Sequence, residues 1–354
     1  MAKAKPITNT DCREAAAKVI QQALLARLKK MCALRADALD LDDPEGVHAM
    51  RVASRRLRSA LADFKPYLRK GGVPLTRLKE IAKSLGAVRD EDVVLAALED
   101  LGSKADKTVR KGIETIAEEH RQRRAQARTA LEHAIRPAAI AEFRDDFRSE
   151  LRTAMKSSAD EPAGERRNNQ VLTFSQVGVR VIGDRLNRLS KSGDAVYRPL
   201  QTKKLHKLRI VAKRLRYAVE LFADCWGDEF KKFAAEIARF QTSLGELHDC
   251  DVWIVNLGVR LKEGGKLHSG GGRDRWRDNE AVVWLLHHFA SERTKHYCYA
   301  LARWHKWETE GFLDRLRAML NADFPPRVEL PKGRKGSTRN SHARPKPKPS
   351  TSTR

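Results

Sequence analysis

Aromatic residues make up only 6% of this 354-residue chain. That scarcity weighs against a protein that reads single-stranded bases, which needs several stacking platforms. The aromatic group YCYALARWHKW (297–307) reads as helix core and amphipathic surface. The five cysteines, at 12, 32, 225, 250 and 298, form no Cys-x-x-Cys pair and are odd in number. Neither a zinc cluster nor a disulfide framework is expected from them. Scattered thiols suit a reducing cytoplasm. The N-terminus, MAKAKPITNTD, lacks the apolar stretch of a signal peptide. No run approaches the ~18 apolar residues of a membrane span. There is no Walker loop, no Gly-x-Ser-x-Gly elbow and no His-Glu-x-x-His helix. With those motifs missing, catalysis and a cofactor are not expected.

What the chain has in excess is positive charge. Seventy Lys and Arg face 46 Asp and Glu, a formal net charge of +24. Such a balance calls for a polyanionic partner: DNA, RNA, polyphosphate or an anionic membrane surface. Residues 331–354 carry eight Lys or Arg and no acid, and removing those eight from +24 leaves +16. The basic character therefore belongs to the folded part as well. From Pro325 the chain is rich in Pro, Ser, Lys and Arg without apolar periodicity, the composition of a disordered tail.

Elsewhere apolar residues recur at three- and four-residue intervals, and no convincing alternating strand occurs. The spacing predicts helices over 12–40, 45–70, 74–101, 104–134, 138–157, 170–191, 198–226, 228–262, 278–306 and 309–322. KSSADEPAGERRNN (156–169) reads as an inter-domain linker, and EGGKLHSGGGRD (263–274) as a flexible helix–helix connector. No strand precedes that glycine run, so it lacks the context of a phosphate-gripping loop.

The chain repeats itself. VHAMRVASRRLR (47–58) aligns with LHKLRIVAKRLR (205–216), and SLGAVRDEDV (84–93) with SLGELHDCDV (243–252). Two matched pairs, in one order and at nearly one offset, point to duplication. The expected fold is all-α: two tandem helical bundles related by a pseudo-twofold, over 10–157 and 170–322, followed by a basic tail over 325–354.

On a helical wheel His48, Arg51, Arg55 and Arg58 share an arc of roughly 80°, while Met50, Leu57, Leu61 and Phe64 cluster on another face. His206, Arg209, Lys213 and Arg216 form the matching stripe of the second copy, with Leu208, Leu215, Val219 and Phe222 as its apolar face. Residues 47–62 hold four arginines and no acid. Like charges one turn apart repel. Two readings remain open: acids of neighbouring helices offset the row, or an external anion does, and the duplication favours the anion. Arginine offers a planar fork for phosphate oxygens, lysine a mobile point charge, and histidine one or two donors.

The downstream motif puts Asp90 and Asp92 opposite Asp249 and Asp251, with His248 beside them. A metal site is one reading. Arg89 stands where the second copy has His248, which opposes a shared metal, so these aspartates are expected to orient arginines or cap a helix. Gly86 and Gly245 are expected to permit close helix approach or a bend.

Both motif pairs, taken together, resemble the CHAD family, the conserved histidine α-helical domain, over roughly residues 10–322. The resemblance implies two helical bundles with a basic cavity or pore, inorganic polyphosphate as ligand, and association with polyphosphate granules. By motif position it implies His48, Arg51, Arg55, Arg56 and Arg58 as ligand residues. In the second half it implies His206, Arg209, Lys213, Arg214 and Arg216. Arg56 and Arg214 lie off the stripe, and Arg89 and His248 form a second tier. The alternatives are a general nucleic-acid binder using the basic tail, and a metal-dependent polyphosphate-processing enzyme using the aspartate pairs.

Overall fold

In the computed structural model, residues 11–40, 43–68, 75–156, 172–267 and 272–322 are described. The proposed tail and, beyond Lys156, the proposed linker lie outside them, as does the middle of the glycine-rich connector. Every described element is helical apart from short turns and one isolated antiparallel bridge between Ala15 and Thr173. In chain order the α-helices are α1 (Ala16–Ala33), α2 (Arg35–Leu39), α3 (Pro44–Phe64), α4 (Leu75–Lys104), α5 (Lys107–Ala134) and α6 (Pro137–Lys156). The second half follows with α7 (Phe174–Ser192), α8 (Thr202–Trp226), α9 (Asp228–Leu267), α10 (Gly272–Thr309) and α11 (Phe312–Ala322).

Local chemistry sets several of these boundaries. Asp43 caps α3 by accepting from the Glu45 N–H at 2.9 Å, with Pro44 in the first turn. Thr173 and Gln176 form a capping box at the start of α7. Gly227, at φ 79°, ends α8 in the left-handed region that glycine tolerates. The helix expected over 12–40 is two helices: it turns at Leu34 so that α2 can lie against α3. There Gly46 sits so close that a Cβ would fall 1.9 Å from the Asp37 carbonyl oxygen. The helix expected over 45–70 ends at Phe64 and continues as a 3-10 turn, Lys65–Tyr67, through Pro66. α9 and α10 both run further toward each other than the spacing predicted, to Leu267 and from Gly272.

The two halves repeat one plan. α1, α3, α4 and α5 correspond to α7, α8, α9 and α10, and successive members touch in the same order in each half. Equivalent helices also meet across the pseudo-twofold: α1 with α7, α3 with α8, and α5 with α10. Both apolar faces read from the sequence are buried. Met50, Leu57, Leu61 and Phe64 point inward on α3, and Leu208, Leu215, Val219 and Phe222 on α8. Phe64 and Phe222, equivalent in the repeat, meet edge to face at 6.0 Å, and Phe174 touches both rings. One apolar core thus contains residues of both halves. A second, smaller core joins α4, α5, α9 and α10 around Leu101, Ile113, Leu257 and Leu285.

Polar contacts tie the halves as well. Buried Asp63 on α3 accepts two bonds from Arg185 on α7, at 2.6 and 3.0 Å. The Ala16 N–H donates to the Leu172 carbonyl at 2.8 Å, and the Phe174 N–H to the Glu14 carbonyl at 3.1 Å. Cys12 and Cys225 form a disulfide across 213 residues. That corrects the expectation of free thiols throughout. Their distance in sequence hid a pair that folding brings to 5.5 Å between Cα atoms. None of the described helices is long and apolar enough to cross a membrane.

The glycine expectation is also corrected. A Cβ at Gly86 would meet nothing, and one at Gly245 only Arg209 Nε at 3.7 Å. Neither glycine enforces a close approach, whereas Gly46 does. Gly46→Ala is expected to destabilise by more than the ~1–3 kcal/mol usual for overpacking, because the clash is with backbone. Gly86→Ala is expected to stabilise by about 1 kcal/mol through helix propensity. Denaturant midpoints of the two variants, moving in opposite directions from the parent, check this.

Candidate functional site: a cationic cleft shared by the two halves

The crossing of α3 and α8 explains the site. Each helix is held by its apolar face in the common core. With those faces fixed, the stripe on the other side of each helix must turn toward the opposite half. The stripes converge on one part of a cleft of about 1250 Å³. His48, Arg51 and Arg55 reach it from α3, Arg89 from α4, Arg209 from α8 and His248 from α9. The cleft then continues between α4, α5, α9 and α10.

Charge there is only partly offset. Arg51 pairs with Asp90 at 3.0 Å, and Arg89 lies 3.7 Å from Glu45. Asp249 and Glu246 line the same wall. Against these, the Nε atoms of Arg55 and Arg209 are buried without a hydrogen-bond partner. Lys213 stands beside them. Burial, then the cations Arg209, Arg55, Arg51 and Arg58, push its ammonium down to about 8. Burial also pulls the Arg55 guanidinium below its ordinary value, and Arg51, Arg216 and Arg209 add to that. His206 and His248 meet at 4.1 Å between ring centres, their planes tilted by 44°. Both are held below the ordinary histidine value by burial first, then by Arg209 among other cations. His48 is lowered likewise, by burial and then by Arg89.

The remaining predicted residues fall outside the cleft lining. Arg56 pairs with Glu220 at 3.1 Å in a small crevice between α1, α3 and α8, lined also by Arg27 and Tyr217. Arg216 lies 3.1 Å from the same carboxylate and over the Tyr217 ring at 4.9 Å. Arg214 is exposed and faces the field of Asp63. Arg58 is exposed but close enough to Lys213 to disfavour its charge. Sequence reasoning missed the cleft walls contributed by α5 and α10, among them Lys111, Thr115, Arg123 and Asn279, along with Asn256 and Arg260 on α9. No repeat or stripe marks them, because their place depends on how α5 and α10 close over α4 and α9.

Three of the four duplicated aspartates, Asp90, Asp92 and Asp251, hold arginines. Asp92 accepts from Arg124 Nε at 2.5 Å and binds α4 to α5. Asp251 accepts from Arg293 Nε at 2.6 Å and binds α9 to α10. The two pairs are equivalent under the repeat, and each fixes a wall of the cleft. Among the described residues no three His, Cys, Asp or Glu side chains gather to hold a metal ion.

This arrangement defines a duplicated all-α protein whose two halves present cations to one cleft. The chain belongs to the CHAD domain family, whose profile matches residues 22–257. It is similar to the crystal structure of the CHAD domain from the plant Ricinus communis, with a TM-score of 0.63 and 20% identity over 91% of this chain and 96% of that one. It is also similar to PptA from Streptomyces chartreusis, with a TM-score of 0.57 and 14% identity over 82% of this chain and 100% of that one. Both likenesses are in the fold. No curated protein matches the chain.

Lys213 gives the site a pH signature. Its value is near 8 folded against 10.5 ordinarily. Between those values the unfolded chain binds the extra proton, so the Lys213 contribution to stability rises with pH across that window. An anion in the cleft favours the charged ammonium, so its affinity falls across the same window. Denaturation and anion-binding series from pH 7 to 10.5, each compared with Lys213→Gln, should show these opposite slopes in the parent and lose both in the variant.

Proposed function

We propose that this protein binds inorganic polyphosphate without processing it, gripping one linear chain with the cation rows of both halves. The observation that carries the reading is the convergence of Arg51 and Arg55 from one copy with Arg209 and Lys213 from the other. Four cations in mutual repulsion, two with buried and unpartnered Nε atoms, form a site that a polyanion relieves. Members of the CHAD family are polyphosphate-binding modules that can associate with polyphosphate granules, and such binding would recruit this protein there. Repeating phosphates match the repeated cations. Arg51 and Arg55 are one turn apart, about 6 Å along the helix. Arginine meets each phosphate with two donors, and counterion release supplies much of the affinity. The neutral histidines contribute donors near pH 7 and become cations on acidification. Asp92 and Asp251 position the walls and take no part in chemistry.

A variant with Arg51, Arg55, Arg209 and Lys213 all changed to Ala is expected to fold and to lose most polyphosphate affinity. By analogy with nucleic acids, the slope of log affinity against log salt should drop by roughly 0.7–0.9 for each contacting cation removed. Salt-resolved competition between long-chain polyphosphate and mixed-sequence DNA or RNA measures the preference. Equal or tighter binding of nucleic acid at physiological salt would instead favour the nucleic-acid reading, and loss of binding on deleting 327–354 would move the site to the tail. Phosphate release from polyphosphate with Mg²⁺ or Mn²⁺ would contradict the non-enzymatic reading.

A further inference from the structure

The cleft changes character one helical turn beyond its cations. On α4, Val93 follows Arg89 by four residues; on α9, Val252 follows His248 by four. These are equivalent positions of the repeat, and both valines line the cleft while remaining 44% and 45% exposed. Further along α9 come Asn256 and Val259, both exposed, and α10 adds Asn279. A chain of bare phosphates gains nothing from valines, which offer it no donor and exclude its water. It also meets acids there. Those acids have partners within the protein. Arg260 holds Glu119 at 2.8 Å and Asp278 at 3.1 Å, and His120 meets Glu91 at 2.6 Å. The cleft therefore has a segment dominated by cations and a second segment in which valines and amides stand among Lys111 and ion-paired side chains.

A ligand that fills both segments must itself have two ends: contiguous phosphates at one, and an uncharged, flat, hydrogen-bonding group at the other. We propose that the cleft accepts a nucleoside oligophosphate, with its phosphates on the cation row and its base in the annex between Val93, Val252, Asn256 and Asn279. The rise along α9 from His248 to Asn256 is about 12 Å, a span that a triphosphate and ribose fill. Asparagine amides carry a donor and an acceptor side by side, which suits the edge of a base. A nucleic-acid strand fits less well, because it alternates phosphate and base whereas the cleft keeps its cation row apart from its valines and amides. A lipid tail fits less well, because the annex carries amides and paired charges along its length. This inference rests on the cation row proposed above for polyphosphate, and it adds a second ligand class that the row alone does not select.

The test compares ATP with tripolyphosphate, which has a similar charge and no nucleoside, in Mg²⁺-free buffer by calorimetry on the full chain. ATP is expected to bind at least about ten-fold more tightly, a difference of about 1.4 kcal/mol. The double variant Asn256→Ala, Asn279→Ala, together with Val252→Ser tested separately, should shrink that ratio toward one while leaving tripolyphosphate affinity unchanged. Both asparagines line the cleft rather than the core, so the fold should persist. Equal affinity of the two probes in the parent protein, or a ratio unchanged in both variants, overturns the annex. Binding of both probes that survives the four-alanine cation variant overturns the cation row instead, and binding of neither overturns both.

Discussion

The packing of α3 against α8 is the contact on which the rest depends. Phe64 and Phe222 close on each other across the pseudo-twofold, with Phe174 wedged against both. Each ring ends an apolar face whose members are buried. Once those faces are joined, the opposite faces have no freedom. They must bring Arg51, Arg55, Arg209 and Lys213 into one region, and the repulsion among them follows from the packing rather than from any contact they make. Hydrophobic burial, a few kcal/mol for each large side chain, is what holds like charges together here.

The structure manages that repulsion unevenly. Arg51 leans on Asp90, and Arg56 and Arg216 share Glu220, so part of the row is neutralised inside the protein. Arg55, Arg209 and Lys213 are left with burial and one another. Such a cluster of like charges is costly to hold without a counter-charge. The asymmetry between copies also matters. Glu220 has no acidic counterpart in the first copy, where Ala62 stands, and His248 replaces Arg89. The repeat supplies both walls of the cleft, and these two positions distinguish them.

Much of the fold was legible because amphipathic helices advertise themselves. The apolar and cationic stripes of VHAMRVASRRLR and LHKLRIVAKRLR lie on separate arcs, and both apolar stripes are indeed buried. The helix ends were less legible, since the turn at Leu34 and the stop at Phe64 answer to neighbours far along the chain. The cations were legible as types but not as partners. Arg56, off the stripe and implied as a ligand residue only by the family resemblance, meets Glu220, 164 residues away. Cys12 and Cys225 looked like unrelated thiols, yet they join.

By itself, the sequence determined the helical class, the duplication, the excess of positive charge and the face of each repeated helix that would be buried. Those properties are local or periodic, and a 3.6-residue repeat writes them into consecutive residues. Only the tertiary structure decided which cations share a cleft, which are silenced by acids, and that valines and amides continue the cleft beyond them. Those properties depend on α5 and α10 closing over α4 and α9, a packing set by side-chain shape across more than a hundred residues of chain, which no single stretch encodes.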